Sequence, residues 1–311
     1  MKTRIDSPWW LAGLTSVLLL ATAAVSPAEY QVKDTPGQHL DVLAPNGRPL
    51  LRYVYVREAE KPGGPATFDT AKVFAHVFAD DGQTPLTKGP GGLFPHHRGI
   101  FIGWNKLQHG DKRHDLWHVR NTEQQHKKFT TIKAGPKDGT VQSAIQWIGS
   151  DQKPVLEEVR THQVTSTDDT HTVIDVTSQL TASHGAVELN GDPEHAGCQF
   201  RPSQQVAENK SAKYTFPAEG IDPKKDLDLP WVAETFRLGE QEWTVQMMSH
   251  PTNPQGARWS AYRDYGRFGP FTVVEIEDGA TQTFKYRFRV TKGAAPGRDV
   301  LAAEYAAYAA E

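Results

Sequence analysis

The stretch TFKYRFRVT (283–291) alternates without a break: Phe284, Tyr286, Phe288 and Val290 fall on one side of an extended chain, Lys285, Arg287 and Arg289 on the other. Successive side chains of a strand point to opposite faces, so such a segment buries one face in an antiparallel sheet. Wound as a helix, the same residues would scatter their apolar groups around the axis. THTVIDVTSQLTA (170–182) repeats the pattern, with Val173, Asp175 and Thr177 facing away from Ile174, Val176 and Ser178. LLRYVYV (50–56), KVFAHVFA (72–79), SAIQWIG (143–149), EEVRTHQVTS (157–166), EWTVQMM (242–248) and FTVVEIE (271–277) are further expected strands, rich in β-branched and aromatic residues.

Turn residues separate them, as at Pro45-Asn46-Gly47, Asp80-Asp81-Gly82, Thr167-Asp168-Asp169 and Glu277-Asp278-Gly279. Only GRDVLAAEYAAYAAE (297–311) reads as a long helix, with Val300, Leu301, Tyr305 and Tyr308 on one face. Many short strands and few helices predict an all-β protein: a large antiparallel β-sandwich with a short C-terminal helix.

Residues 1–28 read as a signal peptide: Lys2 and Arg4, an apolar run from Trp9 to Ala24, then small residues up to Ala28. The rest, 29–311, is expected to form a single β-sandwich domain, long enough to bury one large core. A periplasmic or secreted location follows from that leader, with no membrane-integral part after its removal. The formal net charge of −3 gives no electrostatic footprint for nucleic acid. With a single cysteine, Cys198, no intrachain disulfide can form.

Function is expected on three irregular stretches, 88–121, 184–234 and 249–270, because binding groups concentrate on loops held by a rigid scaffold. In GGLFPHHRGIFIGW (91–104) an extended backbone puts His96 and Arg98 on one face and His97 on the other. One histidine is expected to face a cleft as acid or base, with Arg98 clamping an anion or carbonyl; which histidine it is stays open. DLWH (115–118) sets Asp115 three residues before His118, and Trp104 and Trp117 are candidate sugar-stacking rings or plain core tryptophans. NGDPEHAGCQFRPSQ (190–204) is the densest polar cluster, where Glu194 and His195 can supply an acid/base pair and Arg201 a clamp. The third stretch adds His250, Arg263, Tyr265 and Arg267, which suit a carboxylate or vicinal hydroxyls. His96, His118, His195 and Glu194 are the alternative ligand set for a divalent metal. No nucleotide cofactor is expected, since the sequence has neither a Walker loop nor a dinucleotide fingerprint.

FPHHRGIFIGW, DLWH, GDPEHAGCQFRPSQ and YRDYGRFGPF together resemble the bacterial PmoA family, across almost the whole of 29–311. The family's label implies the membrane subunit of a methane monooxygenase, which needs several membrane spans; beyond residue 28 no run of about 20 apolar residues exists. Its usual setting among exported sugar-processing proteins implies carbohydrate work. The expected architecture is also similar to the galactose-mutarotase supersandwich, a likeness of fold and not of function. The expectation is therefore an exported carbohydrate-active enzyme of epimerase, lyase or hydrolase type, acting on a small-molecule or glycan substrate. The alternatives are a divalent-metal protein and a non-catalytic glycan-binding module.

Overall fold

The computed structural model describes residues 29–168 and 170–311; the expected leader, and Asp169 of one expected turn, lie outside them. Two antiparallel sheets dominate. One runs through Gln31–Thr35, His39–Leu43, Pro49–Val54, Phe74–Val77, Ile100–Trp104 and Ala196–Phe200. The other runs through Lys213–Thr215, Trp231–Leu238, Gln241–Ser249, Thr281–Lys292, His171–Thr181, Pro154–Asp168, Gly139–Ile148 and Glu123–Ala134. One apolar cluster draws on both, with Leu51, Val77 and Ile102 from the first sheet and Ile145, Ile174 and Phe288 from the second. This is a β-sandwich, as the alternation predicts.

The polar sides of the two most regular strands are also used. Arg287 binds Asp175 through Nε at 2.6 Å and Nη2 at 2.8 Å, and reaches Glu311 past the end of the helix Arg298–Ala309. Arg289 pairs with Glu304 on that helix at 2.7 Å. Leu301 and Tyr308 pack on Trp231, Ala233 and Met248, so the helix covers the outer face of the larger sheet. Val300, expected on the buried side, is 44% exposed.

Two long strands escape the pattern for opposite reasons. Glu123–Ala134 is the sheet's edge and mostly solvent-facing, so Lys127, Lys128 and Lys133 can occupy it without alternation. Trp231–Leu238 is buried on both sides at its start because the helix covers it, so it is apolar without a period. The expected strand 271–277 is split into Pro270–Phe271 and Val274–Ile276.

An ion pair sits inside the core. Along Pro154–Asp168 the inward positions read Leu156, Glu158, Arg160, His162 and Val164. Glu158 accepts two bonds from Arg160, at 2.8 and 2.7 Å, one from the Ser178 hydroxyl at 2.6 Å and one from Trp147 Nε1 at 2.8 Å. Three adjacent strands thus meet on one carboxylate, and every acceptor site is filled, which a buried charge requires. His162 lies next along the same face, 1% exposed. Burial, then the neighbouring Arg160 charge, push its pKa down to about 3.

Two outcomes follow. Arg160→Met leaves the Glu158 charge buried and unpaired and should cost roughly 3–5 kcal/mol in denaturant unfolding, whereas Glu158→Leu/Arg160→Met together should cost distinctly less. For His162 the unfolded chain takes up a proton below about pH 6.5 while the native state refuses it until about pH 3. Stability should therefore fall with pH across that window. His162→Leu should flatten the slope by at most roughly 1.4 kcal/mol per pH unit, read from urea midpoints at several pH values.

Candidate active site

Ile100–Trp104 is buried on both faces: Ile100, Ile102 and Trp104 join the core, while Phe101 packs with Phe74 and Trp117 on the outer side. Phe101 pairs with Gln199 of the next strand, so those two residues mark the outer face on which the site is built. Cys198 and Phe200, on the alternate side, belong to the core.

The chain approaching this strand is organised around buried cations. The Lys88 ammonium donates to the carbonyls of Gly89 at 3.0 Å and His97 at 3.3 Å, and to that of Gly91, gathering the 88–97 loop around itself. Lys72 donates to the carbonyls of Trp117 and of His96, the latter at 3.4 Å. Arg98 donates to the carbonyls of Pro95 at 3.3 Å, Asp69 at 3.1 Å and Phe68. Gly99 then turns with φ +49°, where a Cβ would stand 2.1 Å from the Ala75 carbonyl oxygen, so no other residue fits. Arg98 is wholly buried on backbone carbonyls; the expected clamp facing a cleft is corrected to a clamp on the protein's own chain.

This scaffold turns His96 into a cavity of about 700 Å³ whose walls include Phe68, Phe94, His118, Arg120 and His195. His97 goes the other way, 2% exposed, between Phe94, Phe101, Trp117 and Tyr265. The open choice between the two histidines is thereby settled by burial. His96 meets His118 with ring centroids 4.5 Å apart, and His118 meets His195 at 4.9 Å.

His118 and His195 are mounted alike. Asp115 accepts from the His118 backbone N–H at 2.8 Å and from its Nδ1 at 2.9 Å. Asp192 accepts from His195 Nδ1 at 2.6 Å, from the Glu194 N–H at 3.1 Å and from Asn105 Nδ2 at 2.8 Å. A carboxylate can only accept, so in each dyad Nδ1 is the donor and Nε2 is the nitrogen left to exchange a proton. DLWH and DPEH are thus one device used twice, an Asp three residues ahead of its His. The repeated spacing is visible in the sequence.

Burial opposes the charge on Asp115, and the bonds from His118 more than offset it, leaving the carboxyl below the usual range. Asp192 is lowered in the same way, with Asn105 and His195 overcoming burial. His195 lies below the ordinary imidazole value because burial outweighs Asp192. His96 is pushed down to about 2, by burial first and then by the charge of Lys72. Phe94, Val119 and Asn121, all on the cavity wall, have φ of +53°, +52° and +55°. A β-branched valine pays in strain for that conformation, which over-determined functional sites tolerate.

Glu194, expected to be a base, has both oxygens engaged: Tyr262 donates to Oε1 at 2.7 Å and Arg263 pairs with Oε2. Burial works against its charge, yet Tyr262, Arg263 and Arg267 hold its pKa below normal, so it orders the wall beside His195. Arg201 and Arg267 lie deeper, each at most 1% exposed. Arg267 donates to Gln199 at 2.9 Å and lies over the Trp117 ring; Arg201 donates to the Tyr265 carbonyl and lies over the Tyr265 ring. They back the site without facing it. Trp104 and Trp117 are 1% and 0% exposed, so neither can stack on a sugar; both expectations are corrected to core packing. His250 belongs elsewhere, bonded to Thr252 and packed edge-on against Tyr308 of the terminal helix. The metal alternative does not fit: among the described residues no three His, Cys, Asp or Glu side chains are arranged to hold one ion.

Phe68, Arg120, Tyr262 and Glu234 were missed as site residues. Glu234 is wholly buried beside Gly266, where a Cβ would come within 2.2 Å of its Oε1; burial raises its carboxyl well above the usual range against the pull of Arg201. Phe68, Arg120 and Glu234 lie outside the four motifs, whereas Tyr262 opens YRDYGRFGPF, and only the fold brings them together.

Among the described residues no helix is long and apolar enough to cross a membrane. No curated protein matches the chain. Among solved structures it is similar to a mutant of the heparan sulfate lyase HepC from Pedobacter heparinus, at 8% identity and TM-score 0.41, covering 88% of this chain and 37% of that one. The HepC structure without that designation gives 10% identity, TM-score 0.40 and coverages of 83% and 34%. The heparinase III BT4657 gene product gives 9%, 0.34, 86% and 36%. The chain thus spans little more than a third of the length of those structures, and the sandwich assignment rests on its own strand pairing. The resemblance to the PmoA family is overturned, since the model that matches, over residues 41–306, is "Family of unknown function (DUF6807)", and all four motifs fall inside that span. The chain belongs to the DUF6807 family, whose function is unknown.

Proposed function

We propose that the protein is an exported enzyme that performs acid–base chemistry on a carbohydrate in the cavity formed by His96, His118 and His195. The observation that carries this reading is the pair of Asp–His dyads, Asp115–His118 and Asp192–His195, with rings 4.9 Å apart at one cavity. In each dyad the aspartate fixes the tautomer and steadies the imidazolium that forms when Nε2 takes a proton. Two such groups can work in opposite senses, one removing a proton and the other delivering one, as epimerisation, elimination and hydrolysis all require. His96, held neutral, contributes a hydrogen-bonding nitrogen and excludes a competing positive charge.

Carbohydrate is favoured by the rim. Phe68 and Phe94 line the cavity and are 42% and 37% exposed, offering apolar faces for the C–H side of a sugar. They take the part that the sequence suggested for the two tryptophans. The export component rests on the leader pattern of residues 1–28.

A turnover screen over glycans and free sugars tests the proposal. On the responsive substrate, His195→Gln and His118→Gln should each lower kcat by roughly 10²–10⁴-fold with unchanged unfolding midpoints. Full activity in both variants overturns the assignment. The pH profile gives a separate check on the Asp192–His195 dyad. If His195 is the base, the acid limb of kcat/KM should lie below the ordinary histidine value of about 6.5. Asp192→Asn removes the group that raises the His195 pKa, so the limb should move to still lower pH while the plateau rate drops.

A further inference from the structure

The layer beneath the three histidines holds positive charge that the protein does not neutralise. Lys72, Lys88 and Arg98 are buried and donate only to backbone carbonyls. Arg201 and Arg267 are buried on a carbonyl, a glutamine oxygen and two aromatic rings. None of these five has a carboxylate within ion-pair distance among the described residues. The acids nearby are already committed: Asp115 to His118 and Arg120, Asp192 to His195, Glu194 to Arg263, and Glu123 to Arg57. Asp69, which acts on Lys88 and Arg98 without forming an ion pair with either, and Glu234, whose neutral form burial favours, are the remaining candidates.

Burying a cation without a counter-charge is costly, and here it happens repeatedly under one cavity. Burial, and then the charges of Arg201 and Arg98, bring Lys88 down to about 8, while burial brings Arg98 to about 10 against the pull of Asp69. A cavity floored in this way carries a positive potential, strengthened by the low dielectric of its walls. At its mouth Arg120 has a side chain 76% exposed, 3.9 Å from Asp115, leaving its guanidinium free to turn inward.

We infer that the cavity takes a sugar acid, whose carboxylate is met by Arg120 and held in the field of the buried Arg201 and Arg267. The inference deepens the acid–base reading and rests on it for the identity of the site. A carboxylate is favoured over other anions by what neutral imidazoles can do. They abstract a proton from carbon only where the electrons left behind find an acceptor. When the proton next to the carboxylate passes to an Nε2, the C–H pair moves onto the carboxylate oxygens, and the cationic floor stabilises that added charge. The second dyad, which enters the step with its ring protonated, gives its Nε2 proton to the opposite face of the carbon and leaves the epimer. Alternatively, departure of the neighbouring oxygen, protonated by that dyad, gives the unsaturated acid.

Titration calorimetry on the full chain with D-glucuronate, D-glucose and glucose 6-sulfate tests this. Glucuronate should bind at least roughly tenfold more tightly than either, and Arg120→Gln should cut its affinity about tenfold while leaving glucose within about twofold. Equal affinity for glucuronate and glucose overturns the inference, as does a preference for glucose 6-sulfate. Turnover of a neutral glycan that is lost in His195→Gln would keep the acid–base reading and sink this one. Selective glucuronate binding without chemical change in any uronate-containing glycan would do the reverse.

Discussion

The carboxylate of Glu158, held by Arg160, Ser178 and Trp147, is the interaction on which the larger sheet depends. Apolar side chains tolerate small shifts against one another, but four hydrogen bonds to one buried charge do not. A slip of one residue in any of the three strands would turn a charged or polar group out of the network and leave another unpaired inside. The pair therefore acts less as a source of stability than as a selector of register. With register set, the smaller sheet packs its Ile102 and Phe200 into the same core and presents Phe101 and Gln199 on its far side.

The site layer above Phe101 is assembled by a different rule. Its loops contain few apolar anchors, and their backbone carbonyls would be left without donors in a dry layer. Lys72, Lys88 and Arg98 supply those donors from within: Lys88 gathers its own loop, while Lys72 and Arg98 reach carbonyls that lie far apart in sequence, as Arg98 does between Phe68 and Pro95. Burial first, then Lys72 beside His96 and Arg267 beside His97, disfavour a protonated ring. Lys72 thus both holds the loops together and bears on the protonation of His96.

This division explains what could be read in advance. Strands with one wet face, such as Thr281–Lys292, declare themselves through alternation. Strands covered on both sides, such as Trp231–Leu238, and the solvent-facing edge Glu123–Ala134 do not. For the site, the densest polar motifs did contain residues of the cavity, His96, His118 and His195. Direction was not legible, because adjacent residues such as His96 and His97 differ only in which way a turn sends them. Nor could the tryptophans be told apart from sugar platforms, as burial depends on elements far away in sequence: Trp104 ends up between Trp147 and Phe284.

The site layer is also where the molecule breaks its own rules. His97 Nδ1 and Nε2, Trp117 Nε1, Arg201 Nε and Nη2, and both Glu234 oxygens are buried without a protein partner. In the core Glu158 is bonded to Arg160, to Ser178 and to Trp147, although Ser143 Oγ and His162 Nδ1 are also buried there without a protein partner. Left-handed backbone at Phe94, Val119 and Asn121 adds strain in the site layer. Each feature disfavours folding, and together they persist only because the sandwich beneath over-determines the loops. Sequence variation would remove such costs if the layer were merely structural: a leucine at His97, a glutamine at Glu234 or a glycine at Val119 would each relieve one. Retaining a rigid, cationic and unsaturated polar layer makes physical sense where a ligand's charge completes it.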